Sequence, residues 1–237
     1  MIRTLLLSLL LLFISCAPKK AIKQVLIQKE TMSKGTIILD TAFVLQFNKK
    51  LPSYRVRLVE GEDSTAELDK CFYEIQIQHD ISDSIVQTIT GTSSLEYSMI
   101  DPNKETGIEF VDLNFDGYLD IKMLNSMGMN GVNVGYEVYL FDSNDSLFHH
   151  NEEFSGILGG FSYSLNPDDK TIESEGELGC MGHCFSKDTY KVVGDSLVLV
   201  KRTHQDQDVS NPDKYLLIQE ELVNGVMTVI KQDTVDY

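Results

Sequence analysis

The chain has 237 residues, of which 42% are hydrophobic and 24% are charged, and its formal net charge is -16. This composition is typical of a globular protein with one domain or two small ones, and it argues against a disordered chain. The sequence shows no basic stripe of the kind that a nucleic-acid-binding protein uses to neutralise phosphates. The acidity instead favours a bound cation, a basic partner or solubility.

Residues 1–15 have the features of a signal peptide. Arg3 supplies a positive charge, and residues 5–14 form an apolar run that is interrupted by Ser8 and is shorter than a membrane span. The Ile-Ser-Cys sequence that follows resembles a bacterial lipobox, so we expect cleavage before Cys16 and lipidation of this cysteine. An ordinary signal peptide or an uncleaved anchor is the alternative. Loss of Arg3 changes the side-chain charge from -16 to -17.

The segment after the lipidation site predicts a polar tether over residues 16–34, followed by a single all-β domain over residues 35–237. Several acyl chains hold a protein on a membrane stably, whereas one alone does not. Residues 17–20 read Ala-Pro-Lys-Lys and contain no acidic cluster. Because acidic runs at this position often mark surface-exported lipoproteins, their absence favours a periplasm-facing position in the envelope.

From residue 36 onward the pattern predicts strand after strand. Residues 72–79 alternate between polar and apolar side chains, which indicates a strand with one buried face. The strongest hairpin signal is Asn224-Gly225, because both central residues of a type I′ turn need a positive φ. No segment has a sustained helical period. We therefore predict an antiparallel propeller, barrel or sandwich.

The stretch VDLNFDGYLD predicts a calcium-binding loop between two strands. Calcium takes six to eight oxygen ligands, and alternate positions of a short loop can supply them when a glycine permits the sharp turn. A β-turn at residues 116–117 that needs no metal is the alternative. The predicted ligands are the side chains of Asp112, Asn114, Asp116 and Asp120 and the backbone carbonyl of Tyr118.

The loop differs from an EF-hand, because Met123 occupies the position of the bidentate glutamate and the flanking residues are strand-like. Carboxylates held in one loop repel each other unless a cation lies between them. The sequence therefore favours a structural calcium site rather than a calcium-sensing switch.

Three cysteines remain after the lipidation site, in a compartment that permits disulfides. Cys180 and Cys184 can close a tight loop, and pairing of Cys71 with either of them is the alternative. A zinc site formed by Cys180, His183 and Cys184 is a weaker interpretation, because no fourth ligand has a suitable spacing.

The order of several motifs resembles a known family. The calcium loop lies within residues 110–124, and Tyr-Glu-Val-Tyr-Leu-Phe-Asp at 136–142, Phe148, Lys-Thr-Ile-Glu-Ser at 170–174 and a long strand pattern at 188–200 follow it. This order, over about residues 70–232, resembles the periplasmic immunity lipoproteins of bacterial-killing type IV secretion systems. The resemblance implies a small five-bladed propeller-like fold, Ca²⁺ in the matching loop and inhibition of a lysozyme-like peptidoglycan hydrolase.

Inhibitors of this kind usually insert a loop into the carboxylate-lined cleft of the enzyme. The sequence offers two such loops, at residues 126–135 and 179–187, and His183 and Lys187 of the second are candidate partner contacts. A structural turn tied by a disulfide is the alternative for the second loop.

No catalytic motif is present. The sequence has neither a Gly-x-Ser-x-Gly elbow nor a phosphate-binding loop, and its five histidines are scattered. We therefore expect a protein that is not an enzyme and that binds a hydrolase or another envelope protein. A calcium-dependent adhesion or scaffold protein is the alternative, and a metal-assisted hydrolase ranks last. We expect the adjacent His149 and His150 to lie in an exposed hairpin.

Overall fold

The computed structural model of the chain describes residues 25–26, 36–62, 71–82, 84–93, 107–127, 134–160, 162–179, 184–208, 210–211 and 214–236. This part of the chain contains fifteen strands and one short helix. The strands form three antiparallel sheets, each with its strands in sequence order. None of these sheets closes into a barrel.

The first sheet comprises β1 (Val25–Leu26), β2 (Thr36–Leu45), β3 (Tyr54–Glu62), β4 (Cys71–His79) and β5 (Ile85–Ser93). In β4 the predicted alternation is confirmed, because Tyr73, Ile75 and Ile77 are buried and the residues between them are only partly so. Val25 of β1 pairs with Ala42 of β2, so two residues of the predicted tether belong to this sheet.

The second sheet comprises β6 (Ile108–Val111), β7 (Asp120–Met127), β8 (Val134–Asp142) and β9 (Leu147–His150). Successive side chains of a strand point to opposite faces. Ile121 of β7 and Phe141 of β8 belong to a core shared with the first sheet. Val138 and Leu140 of β8 point the other way, into a second core. This sheet is therefore the middle layer of the molecule, with both faces covered.

The third sheet comprises β10 (Ser162–Asn166), β11 (Thr171–Gly179), β12 (Cys184–Val193), β13 (Ser196–Gln207), β14 (Lys214–Val223) and β15 (Val226–Asp236). Ile172, Val192 and Leu197 of this sheet complete the second core. The predicted hairpin between β14 and β15 is confirmed, and its two central residues, Asn224 and Gly225, have φ values of 52° and 81°.

A short helix, α1 (Glu152–Leu158), follows the second sheet and was not predicted. The side chain of Asn151 caps it by accepting a hydrogen bond from the Phe154 amide at 3.0 Å. Phe154 and Leu158 are buried in the second core. Within the described residues, no helix has the length and apolar character needed to cross a membrane.

The predicted all-β class is confirmed, and the described strands fit a sandwich-like arrangement of open sheets. They form three sheets rather than the five blades implied by the family resemblance. The described strands are also divided differently from propeller blades, because the third sheet holds six strands and the first sheet five, whereas a blade has four.

Candidate functional site

The loop predicted to bind calcium connects β6 to β7 and reverses the chain sharply. Two of its residues, Phe115 and Gly117, have positive φ values of 58° and 90°. The first is unusual for a bulky residue, whereas glycine adopts this conformation freely. Leu113 is fully buried in the second core, which anchors the loop between the middle and third sheets.

Side-chain oxygens of the loop turn inward toward its own backbone. The amide of Asp116 lies 3.1 Å from Oδ1 of Asp112 and 3.3 Å from Oδ1 of Asn114, and it donates to both. Oδ2 of Asp112 accepts from the Gly117 amide at 2.9 Å, and Oδ1 of Asp116 accepts from the Tyr118 amide at 2.8 Å. The three alternate side chains thus bring oxygen atoms to the same side of the loop.

Asp120 has a different role in the same loop. Its carboxylate is 0% exposed, and its two oxygens accept hydrogen bonds from the amides of Leu113 at 2.8 Å and Phe141 at 2.9 Å. Burial raises the pKa of Asp120 to about 7 despite these two hydrogen bonds. Because each oxygen keeps a second lone pair, Asp120 can hold the loop, β7 and β8 together and still offer an oxygen to a cation.

Residues distant in sequence also reach the loop. Nδ2 of Asn114 donates to Oδ1 of Asp195 at 2.8 Å, and Asp195 belongs to the turn between β12 and β13. Burial raises the pKa of Asp116, and the negative charges of Asp112 and Asp195 raise it further against the hydrogen bonds from Tyr118 and Asn114. Sequence reasoning missed Asp195, because nothing local to its Gly-Asp turn indicates what the sheets bring opposite it.

The donor chemistry of the loop fits a hard cation such as Ca²⁺, since carboxylate, amide and carbonyl oxygens are its ligands. Asp112, Asn114, Asp116, Asp120 and the carbonyl of Tyr118 would hold it, with Asp195 as a neighbouring carboxylate. The carboxylates of the three loop aspartates do not all lie within 4.8 Å of one another. Their side chains are thus turned to the backbone amides rather than gathered around one point.

Among the described residues, the acidic and histidine side chains that do lie within 4.8 Å of one another are Asp142, Asp145 and His149, at the turn between β8 and β9. The backbone of this turn already uses these carboxylates, because Asp142 accepts from the Asn144 amide and Asp145 from the Leu147 amide. His149 and its neighbour His150 are exposed on β9, which confirms the expectation of an exposed hairpin. The group stabilises the turn.

Several predicted residues fall outside the described part of the chain: Cys16, Cys180 and His183. Cys184, at the start of β12, is buried and disulfide-bonded. Cys71 is buried in β4 and does not take part in a disulfide, which excludes the alternative pairing through Cys71. The bond between Cys180 and Cys184 stays a prediction.

Lys187 lies on β12, and its charge is matched within the same sheet. Its Nζ is 3.2 Å from Oε2 of Glu173 and 3.1 Å from Oε1 of Glu175. Hydrogen bonds to these two carboxylates raise the pKa of Lys187. A lysine held in this way presents little net positive charge to a partner, although about two fifths of its side chain is exposed, at 43%.

No protein-family model matches the sequence, and a search of curated proteins finds no match. Among solved structures, the chain is similar to a Xanthomonas protein described as related to a type IV secretion system. The TM-score is 0.53 and the sequence identity 18%, over 81% of this chain and 99% of that one. At this identity the likeness shows the fold, and the fold is therefore shared with a type IV secretion system related protein.

Proposed function

We propose that the protein is a lipid-anchored envelope protein that binds and inhibits a peptidoglycan hydrolase, with a structural Ca²⁺ in the loop of residues 112–120. The observation that supports this most is the fold likeness, which extends over 99% of a protein related to a bacterial secretion system. The signal-peptide pattern, with Cys16 at its end, supports delivery to the envelope, where such a hydrolase acts.

The charge of the chain supports a protein partner of opposite sign. With a formal net charge of -16, the protein attracts a basic surface over a long range and accelerates association with it. The ion pairs of Lys187 with two glutamates make this lysine a weak candidate for a cation inserted into a carboxylate-lined cleft. The acidic surface as a whole is therefore the better candidate for recognition.

The test is inhibition of cell-wall lysis. The mature chain, purified with its lipid in detergent, is mixed with a panel of muramidase-like hydrolases, and lysis of peptidoglycan is followed by turbidity. We expect at least one enzyme to be blocked at equimolar inhibitor, with an association rate that falls steeply as salt is raised.

Two lysine variants refine the test. Lys187→Ala removes the candidate contact, and Lys201→Ala removes an exposed lysine of β13 as the matched control. Because the charge of Lys187 is already compensated, we expect both variants to inhibit as well as the wild type. Inhibition of no enzyme in the panel would contradict the proposal and favour the adhesion or scaffold function.

A further inference from the structure

The inner face of the third sheet changes from apolar to polar along its strands. At one end, Ile172 and Val192 pack with Phe154 and Leu158 of α1 in the second core. Further along the same strands, the face under α1 carries small and polar residues instead. Strand register places Ser174 opposite Asp188 and Asp188 opposite Arg202, and the next row holds Gly176, Ser186 and His204.

The first polar row is fixed by hydrogen bonds. Nε and Nη2 of Arg202 donate to the two oxygens of Asp188 at 2.8 and 2.7 Å. Ser186 and Tyr190 also donate to this carboxylate, at 2.8 and 3.1 Å. Burial would raise the pKa of Asp188, but the hydrogen bonds from Arg202 and Ser186 outweigh it and hold the pKa below its usual value. Asp188 is 9% exposed, and a buried charge pair often stabilises a fold less than an apolar row of the same shape would.

A pocket of about 360 Å³ lies over these rows, between the sheet and α1. Gly176 lies on the sheet side of the pocket, which we call its floor, and the space above it is empty, because a Cβ atom added there would meet no other atom within 4 Å. The same holds for Gly156 on the helical wall. Neither glycine has a positive φ, so the backbone does not require glycine at either position. The volume falls within the range of small-molecule sites, roughly 300–1,000 Å³.

One wall of the pocket carries an unsatisfied polar atom. Nδ1 of His204 is buried and has no hydrogen-bond partner. Oε2 of Glu220 is 3.8 Å from this nitrogen, which is beyond hydrogen-bond distance. A buried polar atom without a partner costs free energy, so this row of the sheet is not optimised for stability alone, and the residue that carries the atom lines the pocket.

We propose that this pocket binds a neutral saccharide. Asp188 and Arg202 are the charged residues among those that line it, and they neutralise each other. An anion or a cation would therefore find no net opposite charge. The Ser174 hydroxyl donates to the Ile157 carbonyl, and the hydroxyls of Ser186 and Tyr190 donate to Asp188, so each keeps lone pairs that can accept. The Arg202 guanidinium has five N–H donors and uses two of them on Asp188. Sugar hydroxyls, which donate and accept at once, match this mixture, and the Tyr190 ring supplies an apolar surface.

The experiment uses the mature chain and a panel of neutral di- and trisaccharides that includes the N-acetylglucosamine trimer, with inorganic phosphate as the anionic probe. Binding is measured by calorimetry and by shifts of backbone amide signals. We expect one or more saccharides to bind and to shift the amides of Gly156, Gly176 and Ser186. Gly176→Val, which fills the floor without backbone strain, should weaken binding by at least about tenfold, since it displaces the ligand from its hydrogen bonds.

Two further variants decide whether an effect is local. Gly156→Leu fills the same space from the helical wall and should also weaken binding, which protects the test against poor folding of a single variant. Thr189→Val changes the opposite face of β12 and should bind as the wild type does. Absence of binding by every saccharide, binding that survives both filling variants, or binding of phosphate in place of sugars would each overturn the proposal. None of these outcomes depends on whether the protein inhibits a hydrolase.

Discussion

Asp116 and Asp120 lie four positions apart in one loop, yet the fold depends on them in different ways. Asp120 is fully buried and accepts hydrogen bonds from two backbone amides, one in its own loop and one in β8. Asp116 lies at the loop surface, where partial desolvation of its carboxylate raises its pKa and the negative charges of Asp112 and Asp195 raise it further. Asp120 therefore stabilises the loop with or without an ion. Asp116 accepts a hydrogen bond from the Tyr118 amide but also faces the repulsion of two carboxylates, which a bound cation would remove.

Calcium should therefore stabilise the protein, and chelation should lower its melting temperature. At a calcium concentration of about 100 times Kd, the free energy of unfolding rises by about 2.7 kcal/mol. For a chain of this size, that free energy corresponds to a rise in melting temperature of about 5–10 °C. Asp116→Asn should abolish most of this increment while leaving the melting temperature in chelator unchanged or higher. The measurement is thermal unfolding in Ca²⁺ and in chelator.

Two controls accompany the measurement. Asp168→Asn, in the exposed turn between β10 and β11, should leave the response to Ca²⁺ intact. Asp120→Asn should lower the melting temperature in both conditions, because an amide NH₂ would face a backbone donor, at a cost of about 1–3 kcal/mol. Equal melting temperatures in Ca²⁺ and in chelator for the wild type would contradict the calcium proposal.

The residue-scale geometry was only partly predictable. The alternate spacing of Asp112, Asn114 and Asp116 predicted side chains on one side of a turn, and both Asp112 and Asn114 accept from the same amide. The approach of Asp195 was not predictable, because it depends on how the third sheet packs against the middle one. The polar row of Asp188, Arg202 and His204 was missed for the same reason, since these residues meet only through strand register.

At the scale of elements, the hairpins followed from local chemistry and the helix did not. The Asn224-Gly225 turn was predictable because its backbone conformation requires those residue types. Helix α1 has only seven residues, too few to display a 3.6-residue period. Its Asn cap and the acidic Glu152 and Glu153 in its first turn were the available signals.

A helix this short depends on its cap and on its intrinsic propensity, so two substitutions should act in opposite directions. Asn151→Ala removes the hydrogen bond to the Phe154 amide and should lower the free energy of unfolding by about 1 kcal/mol. Gly156→Ala meets no neighbour within 4 Å and should raise it by about 0.5–1 kcal/mol. Urea unfolding of the two variants measures both effects. A stabilising Asn151→Ala would contradict the capping role.

A second element-scale feature is an ion pair between two strands of the middle sheet, beside Tyr163 of the third sheet. The side chain of Lys122, in β7, is 3% exposed. Its Nζ lies 2.8 Å from Oε2 of Glu109 and 4.4 Å from the ring centres of Tyr136 and Tyr163. Glu109 is 52% exposed. Removal of Lys122 thus leaves a hydrated carboxylate. Removal of the Glu109 charge instead leaves a buried cation whose remaining partners are the Tyr163 hydroxyl and two aromatic faces, with no counter-charge.

Lys122→Met should for this reason be tolerated better than Glu109→Gln, although the lysine is the buried partner. We expect Lys122→Met to change the free energy of unfolding by less than about 1 kcal/mol, because buried ions replaced by apolar side chains of similar volume are often neutral. Glu109→Gln should destabilise by more, about 1–3 kcal/mol. Urea unfolding at neutral pH provides the measurement, and the reverse order of the two variants would refute the explanation.

At the scale of the whole molecule, the middle sheet makes three layers into one structure. Its strand β8 sends Phe141 into the core shared with the first sheet and Val138 into the core shared with the third. Neither outer sheet can separate without exposing one face of the middle sheet to water. Since burial of apolar surface is the main favourable contribution to folding, each core should stabilise the other through the strands that they share.

The three layers should therefore unfold in one cooperative transition, which native-state hydrogen exchange can test. The amides of Ile75 in the first sheet and Ile172 in the third should exchange with the same free energy of opening, equal to that of global unfolding. Ile121→Val trims the core between the first and middle sheets and should lower the free energy of unfolding by about 0.5–1.5 kcal/mol. If the layers are coupled, the protection of Ile172 falls by the same amount as that of Ile75, although Ile172 belongs to the other core. An unchanged Ile172 would show that the third sheet unfolds on its own, and the middle sheet would then join two independent units.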